Sequence, residues 1–139
     1  MAKDHIHNSV KAALENEGWI VTDDPLTIDL SEDDTFFDVD LAAEKRSQLP
    51  DVQKIVAIEV KSFSGGSIIN AFHEALGQFL NYQAAIEEQR LNMELFLAVS
   101  KEGWERLNEY KFIQRRTLQY KLQFLVIDIA AKRIEKWIK

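Results

Sequence analysis

The sequence has 139 residues, 46% of them hydrophobic and 29% charged, with five Gly, two Pro, no Cys and a net charge of −6. Residues 1–139 therefore read as one domain, long enough to bury its own core and too poor in Gly and Pro for a long linker. The lack of cysteine excludes disulfides, thiolate metal centres and a cysteine nucleophile, and no run nears the roughly 18 apolar residues of a membrane helix, so a cytoplasmic location is expected.

Along the chain, Asp4 is placed as N-cap of a first helix whose apolar side is Ile6, Val10, Ala13 and Leu14, with Gly18 ending it. Residues 19–22 form a short strand, Asp23-Asp24-Pro25 a turn, and residues 26–30 are extended. Residues 36–43 alternate, with Phe37, Val39, Leu41 and Ala43 on one side and Asp38, Asp40, Ala42 and Glu44 on the other. The β-branched run 55–61 reads as a central strand with Val56, Ile58 and Val60 on one face. After Ser64-Gly65-Gly66-Ser67 the period changes, and Ile69, Phe72, Leu76, Phe79 and Leu80 make a helical stripe running to about Glu88. Residues 95–99 read as a buried strand, 102–120 as one charged helix, and 122–129 and 133–138 as closing strands. The expected order, α-β-β-β-α-β-α-β-β, is a mixed-sheet α/β sandwich.

Charge is unevenly spread. Residues 1–62 carry −8 and residues 63–139 carry +2. Between Ala12 and Glu44 lie ten acidic residues and no basic one, whereas 101–121 holds Lys101, Arg106, Lys111, Arg115, Arg116 and Lys121 against three Glu. A net-acidic chain argues against tight non-specific nucleic-acid binding through bulk charge. An acidic cluster beside a basic segment nevertheless suits a metal site next to a phosphate track, as well as ordinary solvated faces.

The residues that break local rules are Glu59 and Lys61. Two apart on a strand, they share a face, and placing both in an apolar strand costs desolvation. Acid-x-Lys occurs twice, at Glu59-Val60-Lys61 and Glu109-Tyr110-Lys111, and only the first lies in a strand-like run with an acidic strand upstream. The bland alternative is a solvated ion pair on an edge strand. If the two strands pair, Asp40 and Glu59 converge on one divalent ion, with Asp38 as the other candidate on that face. Mg²⁺ takes one or two carboxylates and completes its shell with water and phosphate oxygens. On the next helix Glu74, Gln78 and Tyr82 stack at i, i+4 and i+8. Their spacing alone is equally compatible with a plain exposed polar face.

Asp40, then Glu59-Val60-Lys61, then Gln78-x-x-x-Tyr82 on the following helix resembles the core of the PD-(D/E)XK nuclease superfamily, RecB-like branch, although Val39 rather than Pro precedes Asp40. Nearly the whole chain resembles the XisH family. The resemblance is carried by His7-Asn8-Ser9-Val10-Lys11-Ala12-Ala13-Leu14, Gly18-Trp19, Asp23-Asp24-Pro25, Asp40-Leu41-Ala42-Ala43-Glu44, Ile58-Glu59-Val60-Lys61-Ser62-Phe63, Phe72-His73-Glu74-Ala75-Leu76-Gly77-Gln78-Phe79 and Leu97-Ala98-Val99. That family is named for controlling excision of the fdxN DNA element in heterocyst-forming cyanobacteria, alongside a partner, XisI. The resemblance implies a restriction-endonuclease-like fold, a mixed central sheet with helices on both faces. It implies Mg²⁺ held by Asp40, Glu59 and the Val60 carbonyl, Lys61 acting on water or the scissile phosphate, and Gln78 and Tyr82 lining the pocket. Asp38, Glu44 and His7 are expected as supporting positions.

Two functions follow as expectations. The first is a factor in excision of a DNA element with a Mg²⁺-dependent, nuclease-like site. The second is a non-catalytic regulatory protein that keeps the fold and binds a small XisI-like protein, which the acidic composition favours. DNA is the expected partner of the first, and apolar edge strands near the C-terminus make a homodimer reasonable.

Overall fold

Residues 53–60 carry the apolar, β-branched sequence of a strand buried on both faces, and they sit inside the sheet. The computed structural model describes residues 2–47 and 53–139, with side chains from residue 5 onward. Strand β5 (Gln53–Val60) lies between β4 (Leu41–Arg46), to which it is antiparallel, and β6 (Glu94–Ser100), to which it is parallel. Strand β7 (Phe124–Asp128) extends the sheet in parallel beside β6. Antiparallel edges are added by β1 (Ile20–Asp23) against β4 and β8 (Arg133–Ile138) against β7. The six-stranded order is β1-β4-β5-β6-β7-β8. Each parallel step needs a crossover. Helix α2 (Ile68–Glu88) makes the first, and α3 (Lys101–Asn108) with α4 (Lys111–Gln119) makes the second.

The sheet is covered on both faces, as expected. Helix α1 (Ala2–Asn16) contributes Val10, Ala13 and Leu14 to a core with Leu41, Val56, Ile58, Val60, Phe96 and Leu125. Helices α2, α3 and α4 cover the other face, where Phe72, Phe79, Leu107 and Ile113 pack on Ala57, Leu95, Leu97, Phe124 and Val126. No helix among the described residues is long and apolar enough to cross a membrane.

Four local expectations are corrected. The first helix begins at Ala2, ahead of Asp4, whose side chain lies outside the described residues. The alternating run 36–43 is two strands. β3 (Thr35–Val39) pairs with β2 (Leu26–Leu30) as a separate hairpin, and the chain bends at Asp40 before β4. The bend reverses the alternation, so Val39 joins the α2-side core and Leu41 the α1-side core. The order is therefore α-β-β-β-β-β-α-β-α-α-β-β.

The charged stretch 102–120 is two helices because Leu107 and Ile113 both enter the same core. Six residues apart on one continuous helix they would point about 120° away from each other. On α2 the buried line is Phe72, Ala75, Phe79, Tyr82 and Ile86, spaced three and four apart, while Leu80 is exposed. Tyr82 thus belongs to the apolar stripe rather than to an exposed polar face.

Gly18 behaves as the sequence predicts. Its φ is +89°, the Gly18 N–H donates to the Glu15 carbonyl at 3.1 Å, and the Trp19 N–H reaches back to the Leu14 carbonyl at 3.0 Å. This pair of bonds closes α1 and drops Trp19 into the core beside Trp137, with ring centroids 5.4 Å apart. Gly18→Ala should cost about 1 kcal/mol of stability, since a Cβ disfavours positive φ. A urea-unfolding midpoint equal to that of the wild type would show that the left-handed position carries no such cost.

Candidate functional site

Glu59 in β5 and Lys61 directly after its last residue are both buried, 3% and 9% exposed, and the strand has neighbours on either side. The solvated edge pair is therefore not what the fold builds. Glu59 lies on the α2 face, alternating with Ile58 and Val60, which point to α1.

Asp40 is brought opposite Glu59 by the β4–β5 register, in which Leu41 pairs with Ile58. The two residues interlock. The Asp40 N–H donates to Glu59 Oε1 at 3.2 Å, and the Val60 N–H donates to Asp40 Oδ2 at 2.8 Å. The bend explains this. Once β3 leaves the sheet, Val60 has no ladder carbonyl on that side, and the Asp40 carboxylate takes its place. Lys61 continues the parallel ladder through its N–H, which donates to the Ala98 carbonyl at 2.9 Å. Its Nζ lies 3.7 Å from Glu59 Oε2 and 3.2 Å from Glu74 Oε1, so the ammonium bridges β5 and α2.

Helix α2 supplies the opposite wall. Ser67 caps it, its hydroxyl accepting from the Asn70 N–H, and this aims Glu74, Gln78 and Tyr82 at β5. Gln78 Nε2 donates to the Tyr82 hydroxyl at 3.4 Å, and the hydroxyl donates to the Asp38 carbonyl at 3.5 Å. Gln78 Oε1 is buried and meets no protein donor. One N–H of the Gln78 amide is thus engaged by Tyr82, and its oxygen is left as a buried acceptor. The Tyr82 ring packs at a tilt of 56° against Phe37 of the hairpin, centroids 5.3 Å apart.

The supporting positions separate. Asp38 is exposed, and its Oδ1 accepts from Thr27 Oγ1 across the hairpin at 2.8 Å, so its backbone rather than its carboxylate meets Tyr82. Glu44 accepts from Gln53 Nε2 at the far end of β4, four residues or roughly 13 Å of strand from Asp40. His7 bonds Asp24 Oδ1 at 2.8 Å, and Lys11 reaches Asp24 Oδ2 at 3.1 Å, next to α1. Neither Glu44 nor His7 contacts the Asp40–Glu59 pair. Two contacts were not anticipated. Glu74 holds Lys61, a role its i−4 spacing from Gln78 hints at. Arg106 Nη1 donates to the Phe63 carbonyl just after Lys61, which no local pattern signals.

A profile described as XisH protein matches residues 1–135. The chain belongs to the XisH family. It is similar to an XisH family protein from Nostoc punctiforme PCC 73102, at 33% identity and a TM-score of 0.84, over 98% of this chain and 100% of that one. It is also similar to an fdxN element excision controlling factor protein from Anabaena variabilis, at 35% identity and a TM-score of 0.84, over 98% and 99% of the two chains. No curated protein matches.

In this XisH chain the electrostatics of the cleft show most clearly at Tyr82. Burial and then the negative charges of Glu59 and Asp40 push its phenol up from 10.0 to about 12, against an opposing effect of the Gln78 hydrogen bond. The phenol therefore stays a neutral donor throughout the physiological range. At Asp24 partial burial raises the carboxyl, but the hydrogen bonds and charges of Lys11 and His7 outweigh it and hold the group below its ordinary value. The Tyr82 shift has a defined sign for stability. The folded state keeps the phenol proton longer than the unfolded chain, so this contribution is complete below pH 10.0 and is lost as pH rises through about 12. The stability gap between wild type and Tyr82→Phe should hold steady up to about pH 10 and narrow between pH 10 and pH 12, measured by urea unfolding. A gap that stays constant would mean the phenol is not held against the carboxylates.

Proposed function

We propose that this XisH chain is an excision-controlling factor that hydrolyses phosphodiesters at a Mg²⁺-dependent site of the PD-(D/E)XK type. The observation that carries the reading is the interlocked Asp40–Glu59 pair beside a buried Lys61 in a central strand. A scaffold gains nothing from burying the Glu59 and Lys61 charges beside Asp40 when apolar residues would replace them at no loss. The relative from Anabaena variabilis, an fdxN element excision controlling factor protein, points to the same biological setting.

The donor set fits Mg²⁺. It consists of hard oxygens, and among the described residues no three His, Asp or Glu side chains form a cage of the kind a structural transition metal needs. Two carboxylates are what Mg²⁺ takes from protein. The buried Gln78 Oε1, which has no protein donor, would accept a hydrogen bond from a water held there. Asp40 and Glu59 would hold the ion, with the Val60 carbonyl, which extended backbone turns to the same edge as its N–H. When bound, the ion polarises a phosphoryl oxygen and acidifies a coordinated water. Lys61, anchored by Glu59 and Glu74, steadies the attacking water or a non-bridging phosphate oxygen as charge develops. Glu74 positions Lys61 from the surface, and Tyr82 holds the Gln78 amide through a hydrogen bond.

A second reading, a non-catalytic factor that binds a small protein partner, is favoured by the self-satisfaction of the same group. Both carboxylates already accept backbone N–H bonds, and Lys61 is shared by two glutamates. Calorimetric titration with Mg²⁺ separates the two. Wild type should bind the ion, and Asp40→Ala and Glu59→Ala should each lose that binding while remaining folded by circular dichroism. Failure of the wild type to take up Mg²⁺ would leave the second reading standing. Nicking of supercoiled plasmid in Mg²⁺ should fall by about 10²-fold or more in Lys61→Ala. Because stripping one partner from a buried pair costs about 3–5 kcal/mol, Lys61→Arg serves as the folded control. Unaltered nicking in Lys61→Ala would remove the lysine from the chemistry.

A further inference from the structure

The run 111–121, Lys-Phe-Ile-Gln-Arg-Arg-Thr-Leu-Gln-Tyr-Lys, contains four cations and no acidic residue in a chain whose net charge is −6. Most of it is helix α4, anchored to the core by Ile113, which is 1% exposed. At 100° per residue, Lys111, Arg115 and Gln119 turn about 120–160° away from Ile113, with Phe112 at about 100° and Arg116 at about 60° along the flank of the same surface. Phe112 is 52% exposed at the middle of this face. The Arg115 and Arg116 guanidinium groups each stand 5.9 Å from its ring centroid. Arg116 is further held 4.6 Å over the Tyr120 ring and by a 2.8 Å bond to Gln119 Oε1. Lys111, Arg115, Arg116 and Lys121 pair with no carboxylate among the described residues, as is true of other surface cations such as Lys54 and Arg133, but here four of them fall within eleven residues that contain no acid.

We infer that the outer face of α4 is a docking surface for single-stranded DNA, with Phe112 as a stacking platform for an unpaired base and Lys111, Arg115 and Arg116 as contacts to flanking phosphates. Three features select this ligand. Cations left without acidic partners await an anion supplied from outside. An exposed ring flanked by guanidinium planes presents a flat surface to another π system, which an acidic peptide does not exploit. A duplex supplies phosphates but keeps its bases stacked on one another, so it leaves Phe112 without a role. The inference rests on the DNA-handling reading only in choosing DNA as the polymer; the surface itself does not include the Asp40–Glu59 pair.

The test is fluorescence anisotropy with a labelled oligothymidylate of about ten nucleotides, a length within one single-strand site, in EDTA so that no metal site takes part. Wild type should bind the strand more tightly than a duplex of equal length or polyglutamate. Its affinity should fall with salt at a log–log slope of about −2, near 0.7 per phosphate neutralised. The double variant Lys111→Ala/Arg115→Ala should weaken binding and flatten that slope by about 1.4. Phe112→Ala should weaken binding about tenfold with the slope unchanged, a signature of lost stacking rather than lost charge. Leu118→Ala, at a residue 79% exposed on the same helix, should leave binding as it was. No binding by wild type at low salt would overturn the proposal. So would preference for polyglutamate, or equal losses in Phe112→Ala and Leu118→Ala. Asp40→Ala/Glu59→Ala should retain oligonucleotide binding, so loss of Mg²⁺ uptake and loss of strand binding report on separate readings.

Discussion

Two opposite charges buried side by side in the middle of a sheet set the terms for everything around them. Glu59 and Lys61 face desolvation costs of several kcal/mol each unless every remaining oxygen and proton finds a partner. The surrounding architecture supplies those partners from three directions. β4 delivers the Asp40 N–H, α2 delivers the Glu74 carboxylate, and the strand itself sets Lys61 against Glu59. The long helix must therefore lie where it does for the lysine to be tolerated.

The hairpin follows from the same constraint. For Asp40 to turn its carboxylate to the Val60 N–H, the chain cannot continue as a flat strand through residue 40. β3 departs at that point, and its pairing needs are met by β2 instead. Tyr82 then closes the corner, its ring against Phe37 and its hydroxyl on the Asp38 carbonyl. One bend thus sets the position of the acid, the fate of the preceding strand and the environment of the tyrosine.

Much of this was legible in the residues. The apolar run 55–60 signalled a buried strand, Gly18 a helix end, and Glu59-x-Lys61 a charged pair in the wrong place for a scaffold. The pairing of Asp40 rather than Asp38 with Glu59 was open, because both share one side of an alternating pattern and only the bend distinguishes them. Periodicity also hid the strand break at Asp40, since alternation looks the same whether or not the strand changes sheets. The two-helix character of 101–119 was concealed by helix-forming residues throughout, and it is decided by tertiary demand for Leu107 and Ile113. His7 and Glu44 were drawn toward the site by sequence resemblance. Their partners, Asp24 and Gln53, come from distant segments that no local spacing reveals.

The separation of hairpin from sheet has a consequence for how such chains tolerate changes of length. The register that sets Asp40 against Glu59 is written between β4 and β5, while β2 and β3 keep their own register about the Ser31–Asp33 turn. Residues gained or lost at that exposed tip alter the reach of an appendage and leave the acidic pair aligned. A single residue inserted between Asp40 and Leu41 has the opposite effect. It displaces Asp40 from its place across from Glu59, strips Val60 of its acceptor and dismantles the corner without disturbing any core residue of the sheet. Length variation among related chains should therefore gather at the hairpin tip and be absent from the bend.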